Sequence, residues 1–444
     1  MWERLRSVWT VPDLRKKILF TLGLLLIARV LAHVPVPGVD PASLQAALSK
    51  NGNLNQVFSL LDLFSGGSLT TFSVAAMGVY PYITASIVMQ LLQPIFPKME
   101  ALAREGEAGR NRLAQITRYI TVPLALLQGF GQMAILVNAG AINSGQFNLF
   151  AAATLVPTLS TLITLTAGTM LLVWLGELIT ENGIGNGISL IIFANIVAKL
   201  PQTASSALVS SSTTTQGSSA GSLVTVVLLG ALALILIFVM VYVYLAQRRV
   251  PVQYPTKRRV GEGMRAGSQT TYIPLAVNSA GMIPLIFASS LLLLPVIVSQ
   301  YLVYSTNKGL SSFFTNVRLF LDPSSWWYWV IYGGLVFAFT FFYAIVIWEQ
   351  QNLAENLQKQ GAFIPGIRPG PPTARHLYDI LKRITFGGAL FLGVISIAPA
   401  FVNKGSATQV VSVAGLLIVV GVVLDTVNQI QAQMVMRNYS GFLS

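Results

Sequence analysis

Residues 326–348 read WWYWVIYGGLVFAFTFFYAIVIW, a run of aromatic, aliphatic and small residues that contains no charged side chain. The hydrocarbon core of a bilayer is about 30 Å thick, and a helix needs about 20 apolar residues to cross it. This run is long enough for one crossing. It therefore predicts a membrane-spanning helix and raises the question of how many similar runs the chain contains.

Apolar runs of this kind recur along the whole chain, separated by charged, glycine or proline residues. We predict ten membrane spans, at 18–34, 73–93, 117–138, 151–175, 184–200, 222–246, 272–298, 326–348, 384–402 and 409–434. Of the 444 residues, 54% are hydrophobic and 10% are charged, a balance too apolar for a soluble globular protein. The expected fold class is an all-α integral membrane protein.

The 28 Lys and Arg residues give the chain a net charge of +13, but they are unevenly distributed. Most fall at Arg437 or in the segments 1–17, 98–118, 248–265 and 359–383, which ten spans would place on the same side as both termini. The exceptions are Arg29, Lys50, Lys199, Lys308, Arg318 and Lys404. The positive-inside rule therefore predicts that both termini are cytoplasmic. The rule also accounts for the basic net charge, so direct recognition of a nucleic-acid sequence is not needed to explain it.

Segment 203–221 consists almost entirely of Ser, Thr, Gly and Ala, which predicts a flexible external linker. It divides the chain into an N-terminal half, 1–202, and a C-terminal half, 222–444. Each half would contain five spans, and an odd number gives the two halves opposite orientations in the membrane. This arrangement is typical of proteins built from inverted repeats.

Several kinds of chemistry are absent from the sequence. The chain has no Cys and only two histidines, His33 and His376, so disulfides, thiolate metal sites and His-based metal clusters are excluded. We find no phosphate-binding loop, paired catalytic carboxylates or serine elbow. The sequence predicts a protein that is not an enzyme and needs neither cofactor nor metal.

Charges inside the predicted spans are scarce. Arg29, Glu177 and Asp425 come closest to the interior, and each lies near enough to a helix end to pair or to reach the interface. A secondary transporter of a small solute is the main alternative, since it also suits inverted halves, but such proteins usually keep ionisable groups at the midplane. A membrane enzyme is a weaker third option, because convergent polar catalytic groups are missing.

Five short motifs occur in order along the chain: PVPGVD at 35–40, FSGG at 64–67, PYITASI at 81–87, GIGNGIS at 183–189 and GAFIPGIRPG at 361–370. Together with the ten spans, they closely resemble the SecY family over nearly the whole chain. Members of that family are central subunits of the bacterial protein-conducting channel. The resemblance implies passage of unfolded secretory polypeptides and lateral release of apolar segments into lipid.

The resemblance also implies functional residues. A constriction between the two halves would be formed by Ile83, Ile87, Ile188, Ile192, Ile286 and Ile418. A short plug helix at about 55–71, with Phe64, Ser65, Gly66 and Gly67, would seat below it from outside. The channel would open sideways to lipid between the second and third spans on one side and the seventh and eighth on the other.

The expected partners and location follow from the same resemblance. The loops 247–271 and 349–383 would dock the SecA motor ATPase and the ribosome, through Lys257, Arg258, Arg259, Arg265 and Arg368. Further expected partners are the small membrane subunits SecE and SecG and the signal peptides of secretory chains. The expected location is the bacterial inner membrane.

Overall fold

The computed structural model describes residues 12–36, 62, 65–138, 152–214, 231, 234–260, 263–281, 283–302, 308–321, 325–351, 353–402 and 407–440. These residues are mostly helical. The elements are α1 (Pro12–Leu31), α2 (Tyr80–Leu92), α3 (Pro97–Arg104), α4 (Glu107–Asn138), α5 (Ala152–Asn182), α6 (Gly187–Thr214), α7 (Leu234–Leu245), β1 (Gln247–Val260), β2 (Gly263–Ala276), α8 (Ile283–Leu302), α9 (Lys308–Phe320), α10 (Trp326–Gln351), α11 (Leu353–Lys359), α12 (Pro371–Val402) and α13 (Ala407–Ser440).

Among the described residues, three helical stretches are long and apolar enough to cross a membrane: Leu155–Asn182, Trp326–Lys359 and Pro371–Ala398. Shorter apolar helices occur at Gly187–Pro201, Leu234–Leu245 and Ile283–Leu293. Threonines within the helices bond back to the preceding turn, as Thr121 does to the Thr117 carbonyl oxygen at 2.8 Å. Such bonds satisfy hydroxyl groups that lipid cannot solvate.

The chain divides into two compact units that do not follow the linker at 203–221. The first unit comprises Met1–Ile235, Ser289–Trp329 and Pro399–Ser444, and the second comprises Leu236–Ala288 and Val330–Ala398. Within the first unit, α5 packs against α1, α4 and α6, while α2 packs on α4 and α6 packs on α13. The halves at 1–202 and 222–444 rest on span counting and stay a prediction.

Glycines make the junction between α5 and α6 unusually tight. A side chain at Gly187 would collide with the carbonyl oxygen of Gly176, and one at Gly183 would lie 2.5 Å from Thr21 Oγ1 on α1. Asn186 caps α6, since its Oδ1 accepts a hydrogen bond from the Ser189 amide at 3.2 Å. The glycine run 183–187 is therefore a helix-to-helix turn.

The core of the first unit gathers residues from five separate parts of the chain. Leu69 and Phe72, which precede α2, are buried with Leu136 of α4, Leu165 of α5 and Leu293 of α8. Phe72 is completely enclosed and adopts a positive φ of 42°. A bulky residue takes that conformation only where its surroundings fix it, so packing decides the backbone here.

The second unit contains a long antiparallel hairpin, which corrects the all-α expectation. Strands β1 and β2 pair along their full length, from Gln247 opposite Ala276 to Val260 opposite Gly263. The signal was present in the sequence, because Val250, Val252 and Tyr254 alternate with polar or proline residues, as a half-buried strand requires. Because this segment is rich in basic residues, we predicted a loop instead.

The hairpin also changes one predicted span. The stretch 272–298 was expected to be helical throughout, but 272–276 belong to β2 and the helix α8 begins at Ile283. Apolar residues such as Ile273 and Leu275 pack in the cluster at the base of the hairpin instead of facing lipid. A run of apolar residues alone does not distinguish these two kinds of burial.

The predicted linker is partly helical. Helix α6 continues to Thr214, so residues 203–214 extend it where a flexible chain was expected; 215–221 lie outside the described residues. Extending an existing helix avoids the cost of nucleation, and the Ala and Leu residues in this stretch favour helix.

Candidate functional site

The six isoleucines predicted to form the constriction lie on four helices. Ile83 and Ile87 are one turn apart on α2, Ile188 and Ile192 are one turn apart on α6, Ile286 is in the first turn of α8 and Ile418 is on α13. Five of the six side chains are buried, and Ile188 is half-buried. Ile286 belongs to the second compact unit and the others to the first.

Helices α6 and α13 pack against each other, which brings the elements carrying Ile188, Ile192 and Ile418 together. A side chain added at Gly185 would lie 3.4 Å from Thr426 Oγ1 on α13, so the turn before α6 also contacts that helix. Part of Ile188 packs against α5, since a Cβ at Gly176 would lie 2.9 Å from its Cγ1. These isoleucines are therefore held on rigid, closely packed helices.

In the described part of the predicted plug, Asp62 and Ser65 are helical and residues 66–71 form a series of tight turns. Gly66 and Gly67 have φ values of 70° and 93°, which favour glycine. The Gly67 amide donates to the Asp62 carbonyl oxygen at 3.0 Å, and the Thr70 amide donates to Asp62 Oδ1 at 3.1 Å. Asp62 thus organises the turns that follow it. Of the plug helix expected at about 55–71, residues 55–61, 63 and Phe64 lie outside the described residues.

Backbone hydrogen bonds tie the end of this segment to the end of α1. The Val36 amide donates to the Phe72 carbonyl oxygen at 3.0 Å, and the Val74 amide donates to that of Val34 at 2.9 Å. Pro35 and Ser73 form the bridge between these two bonds. The segment is consequently anchored at its C-terminal end, close to α2.

Two cationic side chains from different helices meet the segment. Arg29, in the last turn of α1, donates from Nη1 to the Gly66 carbonyl oxygen at 2.8 Å. The Lys199 ammonium of α6 forms an ion pair with Oδ2 of Asp62, whose side chain is 7% exposed. Burying a carboxylate costs less free energy when it is paired and hydrogen-bonded, as this one is. Sequence reasoning assigned no function to Asp62, Arg29 or Lys199.

A further buried contact joins α2 to α8 within the first unit. The Tyr80 hydroxyl donates to the carbonyl oxygen of Ser290 at 2.6 Å, and both residues are buried. Tyr80 also belongs to the apolar cluster that contains Phe72 and Leu293. Sequence reasoning missed this pair as well, because nothing in the chain signals which hydroxyl meets which carbonyl group.

The two predicted docking loops meet in the second unit. Gln253 of β1 and Phe363 exchange backbone hydrogen bonds, at 2.9 Å from the Gln253 amide and 3.0 Å from the Phe363 amide. Val252 and Leu275 of the hairpin are buried with Ile364 in one apolar cluster. The base of the hairpin and the loop before α12 therefore form a single body.

The basic residues predicted for docking occupy two parts of this body. Lys257, Arg258, Arg259 and Arg265 lie in the distal part of the hairpin, where Arg258 is opposite Arg265 in the register. Arg368 is exposed, and its carbonyl oxygen accepts a hydrogen bond from Thr373 Oγ1 at 2.8 Å.

The remaining charges near the predicted membrane interior also have partners. Arg118 Nε lies 2.6 Å from Glu177 Oε1, which confirms that Glu177 pairs with a cation. Within the part of the chain that the structure describes, no group of three or more metal-ligating side chains is close enough together to hold a metal ion.

Comparison with known proteins gives consistent matches. The SecY family model matches residues 73–427. The chain is 42% identical over 438 residues to the protein translocase subunit SecY of Streptomyces scabiei, and 43% identical over 444 residues to that of Streptomyces coelicolor; both alignments cover 97% of each chain. The corresponding subunit of Mycobacterium tuberculosis is 42% identical over 440 residues.

Solved structures share the fold. A chain from the structure of a protein-conducting channel matches with a TM-score of 0.59 at 15% identity, covering 94% of this chain and 92% of that one. A Sec61 chain from a canine ribosome–channel complex of the endoplasmic reticulum gives a TM-score of 0.56 at 15% identity, with the same coverage.

Proposed function

The chain belongs to the SecY family and is the channel subunit of a protein translocase, and we propose that unfolded secretory polypeptides cross the membrane through a constriction formed by the six isoleucines. Five of these side chains are buried and one is half-buried, and the helices α2, α6 and α13 each pack against another helix. This is the observation that carries the proposal.

A constriction made only of isoleucine has two useful properties. Hydrocarbon offers no ligand to replace the hydration shell of an ion, so a narrow ring excludes water and ions when the channel is empty. The same side chains adapt around a passing polypeptide without binding any one sequence. A solute transporter would need polar groups in this place, and the known activity of the relatives does not support that alternative.

The segment around Asp62 to Thr71 acts as the plug, and the contact between α2 and α8 belongs to the lateral gate. The plug packs through Leu69 and Phe72 in the same apolar cluster as Tyr80 of α2 and Leu293 of α8. Movement of either element therefore disturbs the other. A signal peptide that separates the two helices would loosen the plug, and the apolar segment could leave sideways into lipid.

The chain works with partners, since it supplies no energy source of its own. We assign the hairpin tip and Arg368 to docking of the SecA motor ATPase and the ribosome, and expect the small subunits SecE and SecG beside the spans. The proposed chain has ten spans, its termini are cytoplasmic and it resides in the bacterial inner membrane. The distribution of Lys and Arg supports this orientation.

Site-specific photocrosslinking tests the constriction. A photoreactive residue at Ile192 should crosslink to a secretory precursor that is stalled midway through translocation, and only when the precursor carries its signal peptide. A probe at Leu26, whose side chain is 66% exposed on α1, serves as a control that faces outward. Crosslinking at position 26 but not at 192 would contradict the proposed path.

A further inference from the structure

We propose that Arg29 and Lys199 are a latch that holds the plug in the resting channel and thereby sets which signal peptides can open it. This inference rests on the proposed plug assignment. Both residues are exceptions to the cytoplasmic distribution of positive charge, so orientation in the membrane does not explain them. In the structure, both cations instead contact one short segment.

Both oxygens of the Asp62 carboxylate have partners. Oδ1 accepts the Thr70 amide hydrogen within the plug, and Oδ2 meets the Lys199 ammonium of α6. The Lys199 side chain is 17% exposed and that of Asp62 is 7% exposed, so neither charge is well solvated while they are paired. Moving the plug away requires separating these charges, and this favours the seated position.

Glycine at position 66 lets the segment approach both helices closely. A Cβ added there would lie 2.6 Å from Arg29 Nη1 and 2.8 Å from the Asn195 Cα of α6. At Gly67, an added Cβ would lie 3.0 Å from Lys199 Cε. The backbone of the segment therefore rests directly against the residues that hold it, which explains why two glycines stand together at this point.

The latch affects substrate selection through the equilibrium between closed and open channel. A signal peptide that binds the open state must supply the free energy that separates the two states. Because the latch stabilises the closed state, weakly apolar signal peptides fail to open the channel. Weakening the latch should admit them.

The first experiment measures ion conductance of the complete channel complex in planar bilayers without substrate. Lys199→Gln and Asp62→Asn should each raise the resting conductance about tenfold, since each removes one charge-assisted contact. The double variant should add little to either single variant, because the pair is lost only once. Arg118→Gln, which removes a cation of α4 paired with Glu177 of α5 at 2.6 Å, should leave the conductance unchanged.

A second pair of variants tests the close approach at Gly66. Gly66→Ala should raise the resting conductance and allow export of a precursor with a shortened signal peptide. Gly106→Ala is the matched control, since Gly106 also has a positive φ, of 78°, but an added Cβ there has no atom within 4 Å. Equal effects of the two variants would attribute the change to backbone strain and overturn the latch.

Labelling of the plug separates failure of the latch from failure of the plug assignment. The chain has no Cys, so Thr71→Cys provides a single thiol in the half-buried end of the segment. A stalled precursor should make this thiol reactive, and Lys199→Gln should do so without precursor. Reactivity with precursor but not in the Lys199→Gln background would overturn the latch alone. No response to precursor would overturn the plug assignment and the latch with it.

Discussion

The Tyr80 hydroxyl donates to a main-chain carbonyl group of the neighbouring helix, and it does so inside an apolar cluster. A hydrogen bond in such surroundings has no water to compete with it, so each end depends on the other. The contact therefore stabilises one arrangement of α2 and α8 over others. In the proposed channel, that arrangement is the closed lateral gate.

Tyr80→Phe tests this contact with the removal of one oxygen atom. Loss of the bond should destabilise the closed gate by about 1 kcal/mol, equivalent to about a fivefold increase in the open fraction. The expected result is a matching rise in export of a precursor with a weakened signal peptide. Tyr82→Phe, two residues along the same helix and half-buried, is the control. An equal rise in both variants would exclude a specific role for the Tyr80 hydroxyl.

At the scale of elements, the hairpin is stable only because it is attached. An isolated two-stranded hairpin is at best marginally stable in water. Here Val250 and Val252 are buried in an apolar cluster at the base of the hairpin. The loop before α12 adds backbone hydrogen bonds between Phe363 and Gln253. The contacts at the base therefore hold the whole hairpin in place.

Phe363→Pro removes the amide hydrogen that Phe363 donates to Gln253 and should release the base of the hairpin. We expect faster tryptic cleavage after Lys257, Arg258 and Arg259. Gel electrophoresis of samples taken at successive times measures the rate of cleavage. Phe363→Ala keeps the amide and should be cleaved more slowly than Phe363→Pro. If the two variants are cleaved at the same rate, the side chain and not the backbone bond secures the hairpin.

The sequence predicted where helices form better than it predicted which residues make contacts between them. Long apolar runs identify helices because lipid requires internally satisfied backbone, and helices do occupy most of each such run within the described residues. The hairpin was missed because basic residues obscured the alternation of Val250 and Val252. The contact between Asp62 and Lys199 could not be predicted from one sequence, since it depends on how distant helices pack.

On the scale of the whole molecule, orientation in the membrane is the feature that the sequence predicts most directly. The absence of Cys allows single-cysteine variants to be made without further changes. In right-side-out vesicles, a membrane-impermeant maleimide should label Val34→Cys and Ser312→Cys but not Asn111→Cys or Gln360→Cys. Inverted vesicles should give the opposite pattern, and detergent should expose all four. Labelling of positions 312 and 360 from the same side would contradict a single crossing by α10.

Attachment of the hairpin at its base also has a mechanical consequence. Each strand has 14 residues, so the hairpin reaches about 45 Å at roughly 3.3 Å per residue. A side chain at Gly388 would collide with the Val277 carbonyl oxygen, so the root of the hairpin presses directly on α12. A small sideways force on the tip then exerts a torque about that root. Because the hairpin is long, the resulting force at its contact with α12 is larger than the force on the tip. If the proposed motor docks at the tip of the hairpin, its push would be passed through this lever to α12.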